Sequence, residues 1–248
     1  MMPINPVFFR ELLLLRKKTL RLGYIFSSFF MPLIYLCAFG WGLGSRVQLE
    51  GTSYAGFLVP GLLAMTAMNN SFNLSASSIS MGRLFSRSAQ TIFISPIGPW
   101  RIVNGYLLAG MVRGLLGCGI VVVAALLLFG GNILSLSWYS LAALTLDMAF
   151  FSLLGVIVGI SVSDMENVAV ITNFVIMPMA FFSGTFFPLQ GLPPLFSGIA
   201  HLLPLSQVNL LMRAKETTPT ILLTATVLVG LCLAAYAVAV MLLHRYQE

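Results

Sequence analysis

Charge is what this sequence has least of. Among 248 residues, 13 are Lys or Arg and 7 are Asp or Glu, 8% in all, while 58% are hydrophobic. A soluble domain carries roughly 25% charged residues, so a water-facing globular surface is excluded. Disorder is excluded with it, because 19 Phe and a mean hydropathy of +0.97 leave too much apolar surface to stay solvated. Histidine occurs twice, at His201 and His244, with no HExxH pattern, so no metal ion is expected. Cys37, Cys118 and Cys232 stand singly in apolar runs and read as small packing residues, not a redox set. The chain contains no Gly-Lys dipeptide, hence no P-loop to cradle a nucleotide. Ser183-Gly184 follows Phe181-Phe182 and His201 stands alone, which leaves an intramembrane serine protease without its nucleophile turn or base. No basic stripe alternates with aromatics, so nucleic acid is not an expected partner. Self-contained catalysis has no residues to carry it.

What remains is long apolar runs. Residues 22–45, 51–82, 114–146, 167–212 and 217–244 contain no charged side chain, and most exceed the ~18 residues that mark a transmembrane helix. Gly130-Gly131-Asn132 divides the stretch 102–163 into two helices. The run 167–212 is too long for one span, and Pro188, Pro193, Pro194 and Pro204 cluster in its second half. The expected architecture is an all-α polytopic membrane protein, residues 1–248 forming one transmembrane domain. Its six spans lie near 22–43, 56–79, 102–129, 137–161, 168–187 and 220–243, and extracellular re-entrant helices occupy 188–204. Nine basic residues (Arg10, Arg16, Lys17, Lys18, Arg21, Arg83, Arg87, Arg101 and Arg245) fall on the side of both termini. Arg46, Arg213 and Lys215 fall on the other. The positive-inside rule therefore places both termini in the cytoplasm.

Residues 6–21 read as an amphipathic helix lying at the membrane surface. Phe8, Phe9, Leu12, Leu13 and Leu15 make most of one face, and Arg10, Lys17, Lys18 and Arg21 the other. Span 22–43 is too long for a signal-peptide core, and no small-x-small cleavage site follows it. Arg113 and Asp147 lie inside spans three and four, both near the midplane of a ~30 Å hydrocarbon core. Opposite charges at one depth on sequence-adjacent helices predict an intramembrane ion pair; the alternative is that they line a polar route. Span two is polar for a buried helix, carrying Asn69, Asn70, Ser71, Asn73, Ser75, Ser77 and Ser78. These groups must face other helices or a cavity, as interhelical packing or as the wall of a translocation path. Gly105, Gly110, Gly114, Gly117 and Gly119 permit close approach along span three.

Three segments carry a family resemblance. RLFSRSAQTIFISPIGPWRIVNGY, between spans two and three, resembles the coupling segment of type-2 ABC exporter permeases. FFSGTFFPLQGLPPLFSGIAHLLPLSQ resembles that family's fifth span and extracellular re-entrant helices. The segment from Gly44 to Met65 is similar to the branch that contains nodulation-factor and polysaccharide exporter permeases. The resemblance implies a non-enzymatic half-transporter of the bacterial inner membrane. Two copies of the chain would form the pore, and two separate ATP-binding subunits would dock beneath and hold the ATP and Mg, leaving this chain without a cofactor. A rigid coupling helix at 82–92 would carry their motion to the spans, with Arg83, Arg87, Gln90, Thr91 and Pro96 as contact residues. Relatives commonly have a Glu where this chain has Gln90-Thr91, so Arg83 and Arg87 are left to supply the charge. Asp164 and Glu166 in the next inner loop are candidates for a second contact or an inner gate, the alternative being a solvated turn. Phe181, Phe182, Phe186 and Phe187 are candidates for an outer gate, as Asn69, Asn70 and Asn73 are for the pore. The implied cargo is an amphiphile: a glycolipid, a lipid-linked saccharide or a hydrophobic drug. The alternative is an ion-coupled secondary transporter working through Asp147 and Arg113, although no inverted repeat of broken helices is visible.

Overall fold

A computed structural model describes residues 5–19, 30–42, 53–85, 88–130, 137–162, 164–189, 193–214 and 216–247. Every regular element among them is helical. The helices are α1 (Pro6–Thr19), α2 (Phe30–Trp41), α3 (Tyr54–Leu84), α4 (Ser88–Phe93) and α5 (Pro99–Phe129), then α6 (Trp138–Ser161), α7 (Met165–Phe182), α8 (Pro194–Leu202), α9 (Pro204–Met212) and α10 (Pro219–Gln247). Arg21, Arg46, Arg87, Lys215 and most of the predicted first span before Phe30 lie outside the described residues.

The starts of these helices are written in the sequence. Proline opens α1, α5, α8, α9 and α10, where its missing N–H has no intrahelical partner to lose. Ser53 and Ser137 cap α3 and α6, their hydroxyls accepting from Gly56 N at 3.2 Å and Ser140 N at 3.3 Å. Gly130, at φ 78°, ends α5 in a conformation that L side chains rarely adopt. Inside α7 the backbone widens to a π turn over Thr172–Ile176, just before Pro178 withdraws a donor.

The core is built around α3. Its 31 residues are too polar to rank with the four helices long and apolar enough to cross a membrane, Pro99–Phe129, Trp138–Ser161, Met165–Phe182 and Pro219–Tyr246. It is nevertheless the most enclosed, packed chiefly against α6 and α5. Glycines make that packing close: a Cβ added at Gly155 of α6 would stand 2.5 Å from Phe72 O, and one at Gly110 of α5 would stand 2.2 Å from Ser152 Oγ. Hydroxyls hold the same seams, with Ser75 Oγ 2.8 Å from Ser152 Oγ and Ser71 Oγ donating to Gly110 O at 3.1 Å. α10 covers α6 with Leu228, Ala235, Ala239 and Leu243, all on one face, while Leu223, Leu233 and Met241 point outward. An exposed apolar shell of this kind suits lipid, not water.

The helices define two ends. Residues near 84, 99, 161, 165 and 247 gather at the arginine-rich end with α1 and α4. The opposite end holds the starts of α3, α6 and α10, where Tyr54 Oη donates to Phe186 O at 2.8 Å and Ser137 Oγ to Ala214 O at 3.4 Å.

Candidate functional site

At the arginine-rich end the predicted continuous helix 82–92 is absent. α3 runs through Gly82 and Arg83 to Leu84, and α4 is a separate helix of six residues. Arg83 is the reason that α3 is anchored here: its Nη1 donates to Gly159 O at 3.0 Å, to Ile160 O and to Val162 O at 3.2 Å, and its guanidinium lies 5.2 Å from the Tyr246 ring centre. It neutralises the unpaired carbonyls at the end of α6, so it serves the fold and does not project outward as a contact residue. Gln90, Thr91 and Pro96 are exposed beside Phe85 and Ile94, two large apolar side chains facing out. Asp164 and Glu166 are exposed at the start of α7. Arg87 lies outside the described residues.

The junction of α1 with this end turns on a residue the sequence reading passed over. The face of α1 packed on the protein is Val7, Glu11 and Leu15, one turn apart, whereas Phe9, Leu13 and Leu14 are exposed. Glu11 is 1% exposed. It accepts from Ser78 Oγ of α3 at 2.6 Å and from Arg10 Nη1 at 2.8 Å, and Arg10 Nη2 donates onward to Ser88 Oγ of α4 at 2.7 Å. One carboxylate thus ties the surface helix to the core helix and to the short helix between spans. Its signal was available: Glu11 is the one acidic residue in PVFFRELLLLRKKT and shares a helical face with Val7 and Leu15.

The predicted Arg113–Asp147 ion pair does not form. Both Asp147 carboxylate oxygens are buried without a hydrogen-bond partner. Arg113 instead lines a cavity of about 430 Å³ with Arg10, Glu11, Leu74 and Ser77. The physical reason is helix direction. Each Cα–Cβ bond tilts toward its own helix N-terminus, so on antiparallel α5 and α6 the two side chains diverge, Arg113 toward the arginine-rich end and Asp147 away from it. Asp147→Asn therefore orphans no partner and is expected to change stability by no more than about 1 kcal/mol, read as the melting midpoint of the purified protein. A large loss of folded yield would restore the pair.

The polar residues of α3 divide into two sets. Ser71 and Ser75 are buried and bond to α5 and α6, which is interhelical packing. Thr66, Asn69, Asn70, Asn73 and Ser77 recur at helical spacing along a half-buried stripe. Their amides are satisfied within the helix: Asn69, Asn70 and Asn73 each donate to the carbonyl four residues back, at 2.9 Å. Thr66 and Asn70 lie against Gly117 of α5, where an added Cβ would stand 3.1 Å from Thr66 Cγ2 and 2.5 Å from Asn70 Nδ2, and Asn69 and Asn73 are half-buried on the same face.

The four phenylalanines proposed as a gate do not form one group. Phe181 and Phe186 stack at 5.1 Å and join Tyr35 and Phe39 of α2, with Phe39 4.5 Å from Phe186. Phe182 is 49% exposed, on an apolar surface with Phe174, Met179 and Ile199, and Phe187, next to the buried Phe186 in the chain, is exposed. Among the described residues no three His, Cys, Asp or Glu side chains gather to hold a metal. Cys118 Sγ and Cys232 Sγ lie 3.6 Å from Leu63 O and Leu146 O, as packing residues do.

Comparison with known proteins fits these features. The chain is 34% identical to the inner membrane transport permease YadH of Escherichia coli (strain K12) over 174 residues, 69% of this chain and 67% of that protein. It is 34% identical to nodulation protein J of Rhizobium meliloti (strain 1021) over 192 residues, 76% of this chain and 72% of that one. Nodulation protein J of Rhizobium leguminosarum bv. viciae is 31% identical over 199 residues, 79% and 76% of the two chains. With its apolar helices and a family match extending over residues 7–216, the chain belongs to the ABC-2 type transporter family.

Proposed function

We propose that this chain is the membrane-spanning subunit of an ATP-driven exporter in the bacterial inner membrane, moving an amphiphile out of the cytoplasm or inner leaflet. The observation that carries the proposal is the stripe Thr66, Asn69, Asn70, Asn73 and Ser77 on the helix otherwise best buried. A half-buried row of amides and hydroxyls left against lipid would cost free energy that no lipid contact returns. A second copy of the chain placed against this stripe would enclose it, and the stripe would wall a path between the two. Six spans with both termini cytoplasmic, and re-entrant helices α8 and α9 on the outer side, complete the arrangement. The exposed surface of Phe85, Gln90, Thr91, Ile94 and Pro96 is where an ATP-binding subunit would dock. ATP and Mg would sit on that partner. The mixed apolar and amide lining suits a glycolipid, a lipid-linked saccharide or a hydrophobic drug. The ion-coupled alternative loses its pairing element, since Arg113 and Asp147 stand apart.

Single cysteines test this in a variant lacking Cys37, Cys118 and Cys232, held in membranes with its ATP-binding subunit. Asn69→Cys and Asn73→Cys are expected to react with a water-soluble thiol reagent and to cross-link two copies, with yields that change on adding ATP. Leu233→Cys on the lipid-facing side of α10 is the reference. Stripe cysteines as unreactive as that reference would contradict the proposal.

A further inference from the structure

The end opposite the arginine-rich one holds a cavity of about 460 Å³ between the α7–α8 turn, α9 and α10. Ser183, His201, Ser206, Asn209, Arg213 and Thr224 line it, with Phe57, Leu189 and Ile221 supplying apolar wall. Its volume falls within the ~300–1,000 Å³ usual for small-molecule sites. Three buried polar atoms of its lining have no hydrogen-bond partner: Ser206 Oγ, Asn209 Oδ1 and Arg213 Nε. Ser206 and Asn209 are 1% and 2% exposed, so bulk water does not compensate them.

Arg213 sets the chemistry. Its Nη2 donates to Phe57 O at 3.1 Å, and its guanidinium sits 3.7 Å from the Phe57 ring centre. Among the described residues no carboxylate lies within ion-pair distance of it. Burial lowers its pKa to about 10, so it is cationic at neutral pH. A half-buried cation held by Phe57, with no carboxylate partner among the described residues, in a cavity edged with hydroxyls, is complementary to an oxyanion carried on a hydroxylated group.

We infer that this cavity binds a phosphate ester of a small polyol, with Arg213 on the phosphate and Ser206 and Asn209 on the phosphate or polyol hydroxyls. Whether the ester arrives as exported cargo rests on the export reading; binding itself does not. A lipid headgroup and a sugar phosphate share this chemistry, and the probes separate them.

The full-length chain in maltoside is titrated with glucose 1-phosphate, glycerol 3-phosphate and glucose while its melting midpoint is followed. Either phosphate ester is expected to raise the midpoint saturably, and glucose at equal concentration to leave it unmoved. A stronger response to the glycerol ester assigns a headgroup, and one to the sugar ester assigns a saccharide. Arg213→Gln is expected to weaken binding at least tenfold. Ser206→Ala removes an unpartnered hydroxyl, leaves the fold intact and is expected to weaken binding severalfold, which keeps the test open if Arg213→Gln folds poorly. No saturable response to either ester, or equal responses in wild type and both variants, would overturn the site. Because the titration omits the ATP-binding subunit, failure of the export reading leaves its outcome untouched.

Discussion

Gly155→Val is expected to abolish the folded protein. Its added Cβ would stand 2.5 Å from Phe72 O, 2.9 Å from Ser75 Cβ and 3.1 Å from Ala76 N. Two of those three atoms are backbone, so no rotamer change clears the space; α3 and α6 must part. Their separation breaks the Ser75–Ser152 hydrogen bond of 2.8 Å and opens the largest seam in the core. Overpacking usually costs roughly 1–3 kcal/mol where side chains can shift, and here they cannot. Gly119→Val is the matched control, since nothing lies within 4 Å of a Cβ added there. Monodisperse yield by size exclusion is expected to collapse for the first and hold for the second. Equal yields would show that the helices pack less closely than described.

Glu11→Ala is the second large effect, and it separates structure from coupling. Removing the carboxylate leaves Ser78 Oγ and Arg10 Nη1 without their acceptor in a site 1% exposed at the glutamate. Hydrogen bonds to charged groups contribute about 1.5–3 kcal/mol each, so a loss of about 2–4 kcal/mol is expected in a melting or denaturant series. Glu11→Gln keeps an acceptor for Ser78 and loses the charge, so its cost is expected to fall between the two. Because Arg10 reaches Ser88 of α4, the alanine variant is also expected to reduce transport per folded molecule. Glu166→Ala, exposed at the start of α7, is expected to be nearly neutral in stability. A Glu11→Ala protein as stable as Glu166→Ala would contradict the junction.

Much of the helical layout was legible in the residues. Charge-free runs and the Gly130-Gly131-Asn132 break gave spans 56–79, 102–129, 137–161 and 220–243, whose ends fall within about five residues of those of α3, α5, α6 and α10. The resemblance to type-2 ABC permeases agrees with the family match over residues 7–216. What was not legible depends on side-chain direction, which spacing alone does not carry. Arg113 and Asp147 share a depth, yet antiparallel helices send them apart. Arg83 looked like an outward charge because it follows a long apolar run, whereas the frayed carbonyls of α6 recruit it. The polar run of α3 is one string in sequence but two faces in space, with Ser71 and Ser75 buried and Asn69 and Asn73 half-buried. Glu11 escaped notice because a basic amphipathic helix at a membrane surface explained its neighbours without it.

The central proposal is that this chain works with its α3 stripe against a second copy and with an ATP-binding partner at its arginine-rich end. Native mass spectrometry of the complex purified from its source in mild detergent tests it most directly. The account predicts two copies of the 26.9 kDa chain with two copies of a P-loop subunit. A chain that emerges alone, or paired only with itself, and recruits no ATPase when nucleotide is added would contradict it.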